Sequence, residues 1–316
     1  MSRTDTAVCW SVGIILAVLA IPFALCRREA TVTSMAATGN TLVFGMTDGT
    51  VKIVDTLSTA KTKRQARGRT APVTQIGLSE SATKVYTLDA HGQVHCLNQQ
   101  ACWIEGLPDM VRQIAVSRGG ELCMVTRNDD YYRVVLQSAR GLDLLGQGDQ
   151  MITALAISPS GHRIAWAEVD GTITVVSIMY GGRQKTSLKD ESECSPVVTM
   201  EFSPDDRYLA VAGGELAVLW DIESSLPVTL PAIYTTPNKA SAVRDVRFDP
   251  SYKASIYRVA ILTSDCLSVT EIDTNKPGRF MTTTHDTAVW SEIEWWDDRL
   301  VRLAPDGNVR WPKVRH

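Results

Sequence analysis

The side chains that could ligate a metal gather in one place in this sequence of 316 residues. His91, His95, Cys96 and Cys102 have the residue types of a zinc site. His95 and Cys96 are adjacent, so on a β-strand their side chains point to opposite faces. No Cys-x-x-Cys pair occurs, and no His-x-x-x-His pair is predicted to lie on a helix. We therefore expect no metal here; buried thiols and a Cys96–Cys102 disulfide are the remaining interpretations.

Catalytic motifs are missing from the sequence. It contains no Gly-x-Ser-x-Gly, phosphate-binding loop, dinucleotide fingerprint or His-Glu-x-x-His. Most carboxylates that could act as general acids or bases fall in predicted turns, where they have a structural role, as do Asp48, Asp170, Asp205 and Asp306. The sequence thus predicts neither an enzyme nor a bound cofactor, although a site assembled from several repeats would leave no linear motif.

One short pattern returns along the whole chain after Arg28. It consists of an apolar residue, two others, an apolar residue, one other and a third apolar residue, as in Ile152-Thr-Ala-Leu155-Ala-Ile157. The copies follow one another at intervals of 38 to 47 residues. Their first residues are Val32, Val73, Val111, Ile152, Val197, Val243 and Trp290.

Each copy is followed by the same succession of signals. A turn such as Ser203-Pro204-Asp205-Asp206 precedes a second apolar run, and a pair such as Asp170-Gly171 marks a tight hairpin, because such residues tolerate positive φ. A third apolar run and a more variable fourth segment complete the unit. Units of about 40 residues with four short strands are typical of β-propeller blades. The sequence therefore predicts an all-β, seven-bladed β-propeller over residues 29–316.

The repeats resemble those of the WD-repeat β-propeller family. Trp220-Asp221, at the end of the third strand of the fifth unit, matches the dipeptide that names the family. The resemblance covers residues 30–316, but other pairs stand at this place in the remaining units and the family's Gly-His pair is missing. Family members usually close the ring with an outer strand from one end of the chain. His316 follows the third strand of the last unit closely, so we predict that the outer strand of blade seven is absent or is supplied by a partner through strand addition.

The start of the chain is apolar. Residues 6–26 contain no charged side chain, and a helix needs about 20 residues to cross the core of a bilayer. A cleaved signal peptide is the alternative, but Leu25 is bulky for a cleavage site, and it also disfavours Cys26 as a lipid-bearing cysteine. We predict a single N-terminal transmembrane helix within an anchor of residues 1–28.

The charges that flank this segment bear on its orientation. Arg3 precedes the segment, and Arg27 and Arg28 follow it. After the neighbouring carboxylates are subtracted, the two sides of the segment differ by about one positive charge. Positive charge tends to stay in the cytoplasm. The sequence therefore predicts a single-pass membrane protein and favours a cytoplasmic propeller.

Two features outside the repeat pattern predict contacts. Residues 61–69 carry five positive charges in the outer segment of blade one, which predicts contact with anionic lipid headgroups or an acidic partner; a solvated loop is the alternative. Trp290 and Trp295 occupy apolar positions of the repeat, so their side chains are predicted to point into the core. Trp296 does not occupy such a position and is predicted to be an exposed interface anchor. The predicted contact residues are Lys61, Lys63, Arg64, Arg67, Arg69 and Trp296.

A rigid disc tethered to a membrane, without visible chemistry, predicts a protein–protein interaction scaffold or an accessory subunit of a membrane protein complex. Its partners would be other subunits of that complex and the bilayer around residues 6–26. Nucleic acid is not expected, because the net charge is -3 and the basic segment has no interleaved aromatic residues. The alternative is a ligand-binding or sensory propeller with a small molecule in the central channel, which predicts polar side chains that converge at one mouth of the channel.

Overall fold

The computed structural model describes residues 30–55, 64–67, 71–97, 101–103, 109–138, 141–179, 182–189, 196–229, 242–251, 256–273, 280–286, 288, 290–296 and 299–310. Every regular element in these ranges is a β-strand, in agreement with the all-β prediction. The predicted membrane segment, residues 6–26, lies outside the described residues. Within the described ranges, no helix has the length and hydropathy needed to span a bilayer.

The strands form seven sheets, each drawn from one continuous stretch of chain. Blade one contains β1 (Val32–Thr38), β2 (Thr41–Met46), β3 (Thr50–Asp55) and β4 (Arg64–Arg67), and blade two contains β5 (Val73–Leu78), β6 (Val85–Asp89), β7 (Val94–Leu97) and β8 (Ala101–Trp103). Blade three contains β9 (Met110–Val116), β10 (Leu122–Arg127), β11 (Tyr132–Ser138) and β12 (Gly141–Gly148). Blade four contains β13 (Ile152–Ile157), β14 (Arg163–Glu168), β15 (Thr172–Met179) and β16 (Gly182–Lys189). Blades five to seven contain β17 (Val197–Phe202), β18 (Tyr208–Gly213), β19 (Leu216–Asp221), β20 (Leu226–Thr229); β21 (Val243–Phe248), β22 (Ile256–Thr263), β23 (Leu267–Asp273), β24 (Phe280–Asp286); and β25 (Glu292–Trp296), β26 (Arg299–Leu303), β27 (Val309–Arg310).

The sheets are arranged as a closed ring. Each sheet is an antiparallel meander whose strand order follows the chain. The first strands of neighbouring blades contact one another in turn, and β25 of blade seven contacts β1 of blade one. The molecule is therefore a β-propeller whose first strands surround a central channel, and the predicted copies of the repeat coincide with those strands.

The hairpin turns form by the chemistry that their sequence predicts. Gly49, Gly171 and Gly307 have positive φ, a conformation that costs glycine little. The aspartate before each glycine also holds its turn: Asp48 Oδ1 accepts the N–H of Thr50, and equivalent bonds join Asp170 to Thr172 and Asp306 to Asn308, at 2.9 to 3.0 Å. These carboxylates therefore fix the turn between the second and third strands of their blades.

A separate apolar cluster fills each junction between neighbouring blades. At the junction that closes the ring, Val301 and Leu303 of blade seven pack with Leu42 and Phe44 of blade one. Trp290 and Trp295 are buried at the junction of blades six and seven, which confirms the inward positions predicted for them. Each blade is thus stabilised mainly by apolar area shared with its two neighbours.

Blade seven differs from the others in its number of strands. Its sheet contains β25, β26 and β27, whereas every other sheet has four strands. Within the described residues, no strand pairs with the outer edge of β27. Residues 311–316 lie outside the described residues, so the absence of an outer strand and its supply by a partner both stay predictions.

The disc has two faces. The upper face holds the beginnings of the first strands and the turns between second and third strands. Within blade four, Val169 N–H donates to the carbonyl of Met151 at 2.9 Å. Between blades three and two, Val111 N–H donates to the carbonyl of Gly92 at 3.1 Å. The lower face holds the turns between first and second strands, such as the turn at Pro204. The central channel connects the two faces.

Close approach of neighbouring blades predicts an intolerance to added volume at Gly45. A Cβ atom at Gly45 would lie 2.5 Å from Cγ1 of Val73 in the next blade, whereas one at Gly182 would meet no atom within 4 Å. We expect Gly45→Ala to lower the free energy of unfolding by about 1–3 kcal/mol relative to Gly182→Ala. Urea unfolding of both variants measures the difference, and Gly182→Ala controls for the effect of alanine on the unfolded chain. Equal midpoints would contradict close packing at this junction.

Candidate functional site

The central channel is lined asymmetrically. The fifth position of the repeat faces a cavity of about 470 Å³ in all seven blades. Blades one to four place small residues there, and blades five to seven place charged ones. In ring order the residues are Ala36, Gly77, Ala115, Ala156, Glu201, Arg247 and Glu294. At this position of the repeat, one half of the channel wall therefore carries small side chains and the other half carries charged ones.

Arg247 is the centre of the charged half. Its Nε donates to Oδ2 of Asp245 at 3.1 Å, and Asp245 Oδ1 accepts from the hydroxyl of Thr199 at 3.2 Å. Burial disfavours the charged guanidinium, but the negative charges of Asp245, Glu294, Glu201 and Glu292 outweigh burial and hold the pKa of Arg247 well above its ordinary value. Arg247 is thus a permanent cation among four carboxyl groups.

The three glutamates of this cluster bind protons more tightly than glutamate does in water. Burial in the channel wall raises the pKa of Glu201 and of Glu292 to about 8, and that of Glu294 to about 7, because the wall limits the water that can solvate a carboxylate. The charge of Arg247 lowers each pKa without cancelling the effect of burial. Near neutral pH the cluster can therefore exchange protons while its arginine stays charged.

Two of these glutamates also join blades. The first strand of each blade turns an edge towards the channel, where its N–H groups have no further strand to pair with. Glu201 Oε2 accepts the N–H of Phe248 at 2.5 Å, and Glu292 Oε2 accepts that of Met35 at 2.9 Å. Since Met35 belongs to blade one, Glu292 links the last blade to the first. The channel carboxyl groups thus satisfy strand edges that ring closure leaves exposed.

Glu201 and Glu294, the first and last residues of the charged half, are accessible from the lower face. A second cavity of about 440 Å³ opens there among the turns at Pro159, Pro204 and Pro250, and it shares Glu201 and Glu294 with the channel. Polar side chains therefore converge at one mouth of the channel, as the alternative hypothesis of a channel ligand predicts. A guanidinium beside several carboxyl groups suits a small ligand that bears an amino group.

A second candidate site lies on the upper face. Large apolar side chains are exposed there on three consecutive blades, and Met151 on blade four is 46% exposed. The set comprises Met110 and Tyr131 of blade three, Met151 and Val169 of blade four, and Val198 of blade five. We call these five residues the upper apolar patch. Several exposed apolar side chains on one face of the disc make that face a candidate interaction surface.

The contact residues predicted from sequence lie elsewhere. Arg64 and Arg67 belong to β4, the outer strand of blade one, and their contact with lipid or a partner stays a prediction. Lys61, Lys63 and Arg69 lie outside the described residues. Trp296 ends β25 opposite Arg299, and its exposure stays a prediction.

The cysteine and histidine cluster of blade two has a structural arrangement. Cys96 is buried and retains its thiol, and it is the register partner of Cys102 in the β7–β8 pair. His95 Nε2 lies 3.3 Å from Oδ2 of Asp89. Across the described part of the chain, no group of three or more His, Cys, Asp or Glu residues is arranged to hold a metal ion. Of the interpretations of this cluster, a buried thiol describes Cys96.

The channel predicts a pH dependence of stability. Glu201 and Glu292 have a folded-state pKa of about 8 against an ordinary value of 4.5, so between these pH values the folded state binds protons that the unfolded state has released. We expect the contribution of these two groups to the free energy of unfolding to fall as pH rises from 4.5 to 8. Glu201→Gln/Glu292→Gln keeps both acceptor oxygens and cannot ionise, so it should flatten this fall. Urea midpoints across the pH range measure it.

The control for this prediction is Glu215→Gln, which removes a carboxyl group from an exposed turn away from the channel. We expect that variant to keep the wild-type pH profile. Parallel profiles for the wild type and the double channel variant would show that the proton linkage arises at other groups.

Comparison with solved structures establishes the fold. The crystal structure of the Myceliophteria thermophila Cps50 (Swd1) beta-propeller domain is similar, with a TM-score of 0.69, 17% sequence identity, and coverage of 91% of this chain and 98% of that chain. As many as 1536 chains of solved structures match, so the fold is too widespread to indicate a partner. No protein-family model and no curated protein matches the sequence. The chain is a β-propeller by fold, and the charged channel and the upper apolar patch are its candidate sites.

Proposed function

We propose that this protein is a membrane-anchored scaffold that binds other subunits of a membrane protein complex through the upper face of its propeller. The upper apolar patch is the observation that carries this proposal. Its five side chains remain in contact with water in the isolated chain, and a protein partner that covered them would gain the free energy of their burial. A binding role also suits a sequence that lacks catalytic motifs.

The position of blade one supports a membrane on the side of the upper face. Thr31 lies on that face, because its carbonyl accepts the N–H of Thr47 and its side chain lies against Gly307. Only residues 27–30 separate Thr31 in sequence from the apolar segment 6–26. An anchor at residues 6–26 would therefore turn the upper face towards the bilayer, where the other membrane subunits are. Contact of Arg64 and Arg67 with anionic headgroups belongs to the same proposal.

Native extraction tests the scaffold proposal. We expect the full chain, extracted from its membrane in a mild detergent, to migrate on native gels with other membrane proteins that mass spectrometry identifies. Met151→Asp places a charge in the upper apolar patch and should weaken this association. Ile256→Asp is the matched control, since Ile256 is also 46% exposed but lies at the lower end of its strand in blade six. Migration of the wild-type chain alone, as a stable monomer, would overturn the scaffold proposal.

A channel ligand is the second candidate function. The convergence of Arg247, Glu201 and Glu294 in the channel, with the two glutamates also lining the lower mouth, favours it. We expect a small amine that enters this site to raise the melting temperature of the wild type, because a ligand that binds only the folded state stabilises it. Glu294→Gln should reduce that rise, whereas Glu215→Gln should leave it intact. A panel of diamines and amino acids that leaves the melting temperature unchanged would count against this second function.

A further inference from the structure

We propose that the upper apolar patch receives a basic amphipathic segment of a protein partner, with its apolar side chains on the patch and its lysines or arginines on the surrounding aspartates. This inference rests on the proposed scaffold function and adds the chemistry of the partner. The acceptors are exposed carboxylates next to the patch in sequence. They are Asp129, Asp130 and Asp149.

The local hydrogen bonds bring apolar and acidic side chains together. Asn128 Oδ1 accepts the N–H of Asp130 at 3.1 Å and that of Tyr131 at 2.8 Å, which holds both residues at the tip of one turn of blade three. In blade four, the bond from Val169 N–H to the carbonyl of Met151 joins the next turn to the beginning of β13. The apolar side chains of blades three and four are thus presented by the same turns that carry the carboxylates.

The cations of this region are fewer than its carboxylates, although Arg127 lies opposite Met110 in the β9–β10 register. Arg133 donates to Asp109 Oδ2 at 2.7 Å and to Gln147 Oε1 at 3.1 Å, so its charge is already paired. Arg112 and Arg127 are exposed on the first and second strands of blade three, and the guanidinium of Arg127 stacks on the ring of Tyr132 at 5.4 Å. The junction between blades three and four therefore presents mainly negative charge around Tyr131 and Met151.

This combination of charges selects among possible partners. At blades three and four, the aspartates would repel an anionic bilayer surface, and they would repel nucleic acid for the same reason. A neutral apolar peptide would gain contact with the patch but would leave the carboxylates without counter-charges. A segment that alternates apolar and basic side chains satisfies both parts of the surface, and charge complementarity would also speed its association.

Peptide binding tests this chemistry directly. The full chain, in nanodiscs of zwitterionic lipid, is titrated with a fluorescent peptide of leucine and lysine, with empty nanodiscs as the blank. We expect Tyr131→Ser/Met151→Ser, and separately Asp129→Asn/Asp130→Asn/Asp149→Asn, to weaken binding about tenfold or more. Raising the salt concentration from about 50 mM to about 500 mM should weaken wild-type binding and affect the asparagine variant less. Ile256→Ser, on the lower side, should bind like the wild type.

The outcomes separate this inference from the scaffold proposal. Binding that depends on Tyr131 and Met151 but on neither salt nor the aspartates would overturn the basic partner and leave the scaffold function standing. Equal affinity for a peptide of leucine and glutamate would also overturn the basic partner. Self-association of the chain, or its recruitment to anionic vesicles, would do the same if Met151→Ser abolished it. Peptide binding that no upper-face variant alters would refute the docking site, while co-migration of native subunits would still decide the scaffold function.

Discussion

Closure of the ring is the constraint on which the rest of this structure depends. A single four-stranded blade has two apolar faces and cannot bury either one alone, so each blade relies on the blade before it and the blade after it. The junction of blade seven with blade one must supply the same contact as the others, and it does so with Val301 and Leu303 against Leu42 and Phe44. If that junction were open, two apolar faces would meet water at once.

Closure also explains why charged side chains occupy part of the channel. Bringing the first strands together leaves their inner edges without a partner strand, and Glu201 and Glu292 reach across junctions to accept N–H groups from those edges. Their carboxyl groups are then held close to Arg247, whose charge offsets part of the cost of placing them there. The same side chains therefore serve the architecture and give the channel its proton-binding character, which connects the stability of the ring to any ligand that enters it.

The sequence predicts the blades well because a blade is local. Apolar spacing, Asp-Gly pairs and Pro-containing turns are all contained within one repeat, so the first strands and hairpins fall where they are predicted. The candidate sites are not local. The fifth position of the repeat reads as charged at Glu201, Arg247 and Glu294, but only the closed ring shows that these residues face one another. The upper apolar patch likewise combines residues of three blades, and no single repeat reveals that Tyr131 and Met151 share a face.

The hairpin turns have a consequence for the electrostatics of the whole disc. Asp48, Asp89, Asp170 and Asp306 are needed to hold turns, and every one of these turns lies on the upper face. The negative charge that these aspartates place on that face is therefore a by-product of how the blades are folded. Neutralising one of these aspartates would remove a bond that holds its hairpin, so this charge is tied to the stability of the blades. A partner that recognises it depends on a property that the propeller cannot easily lose.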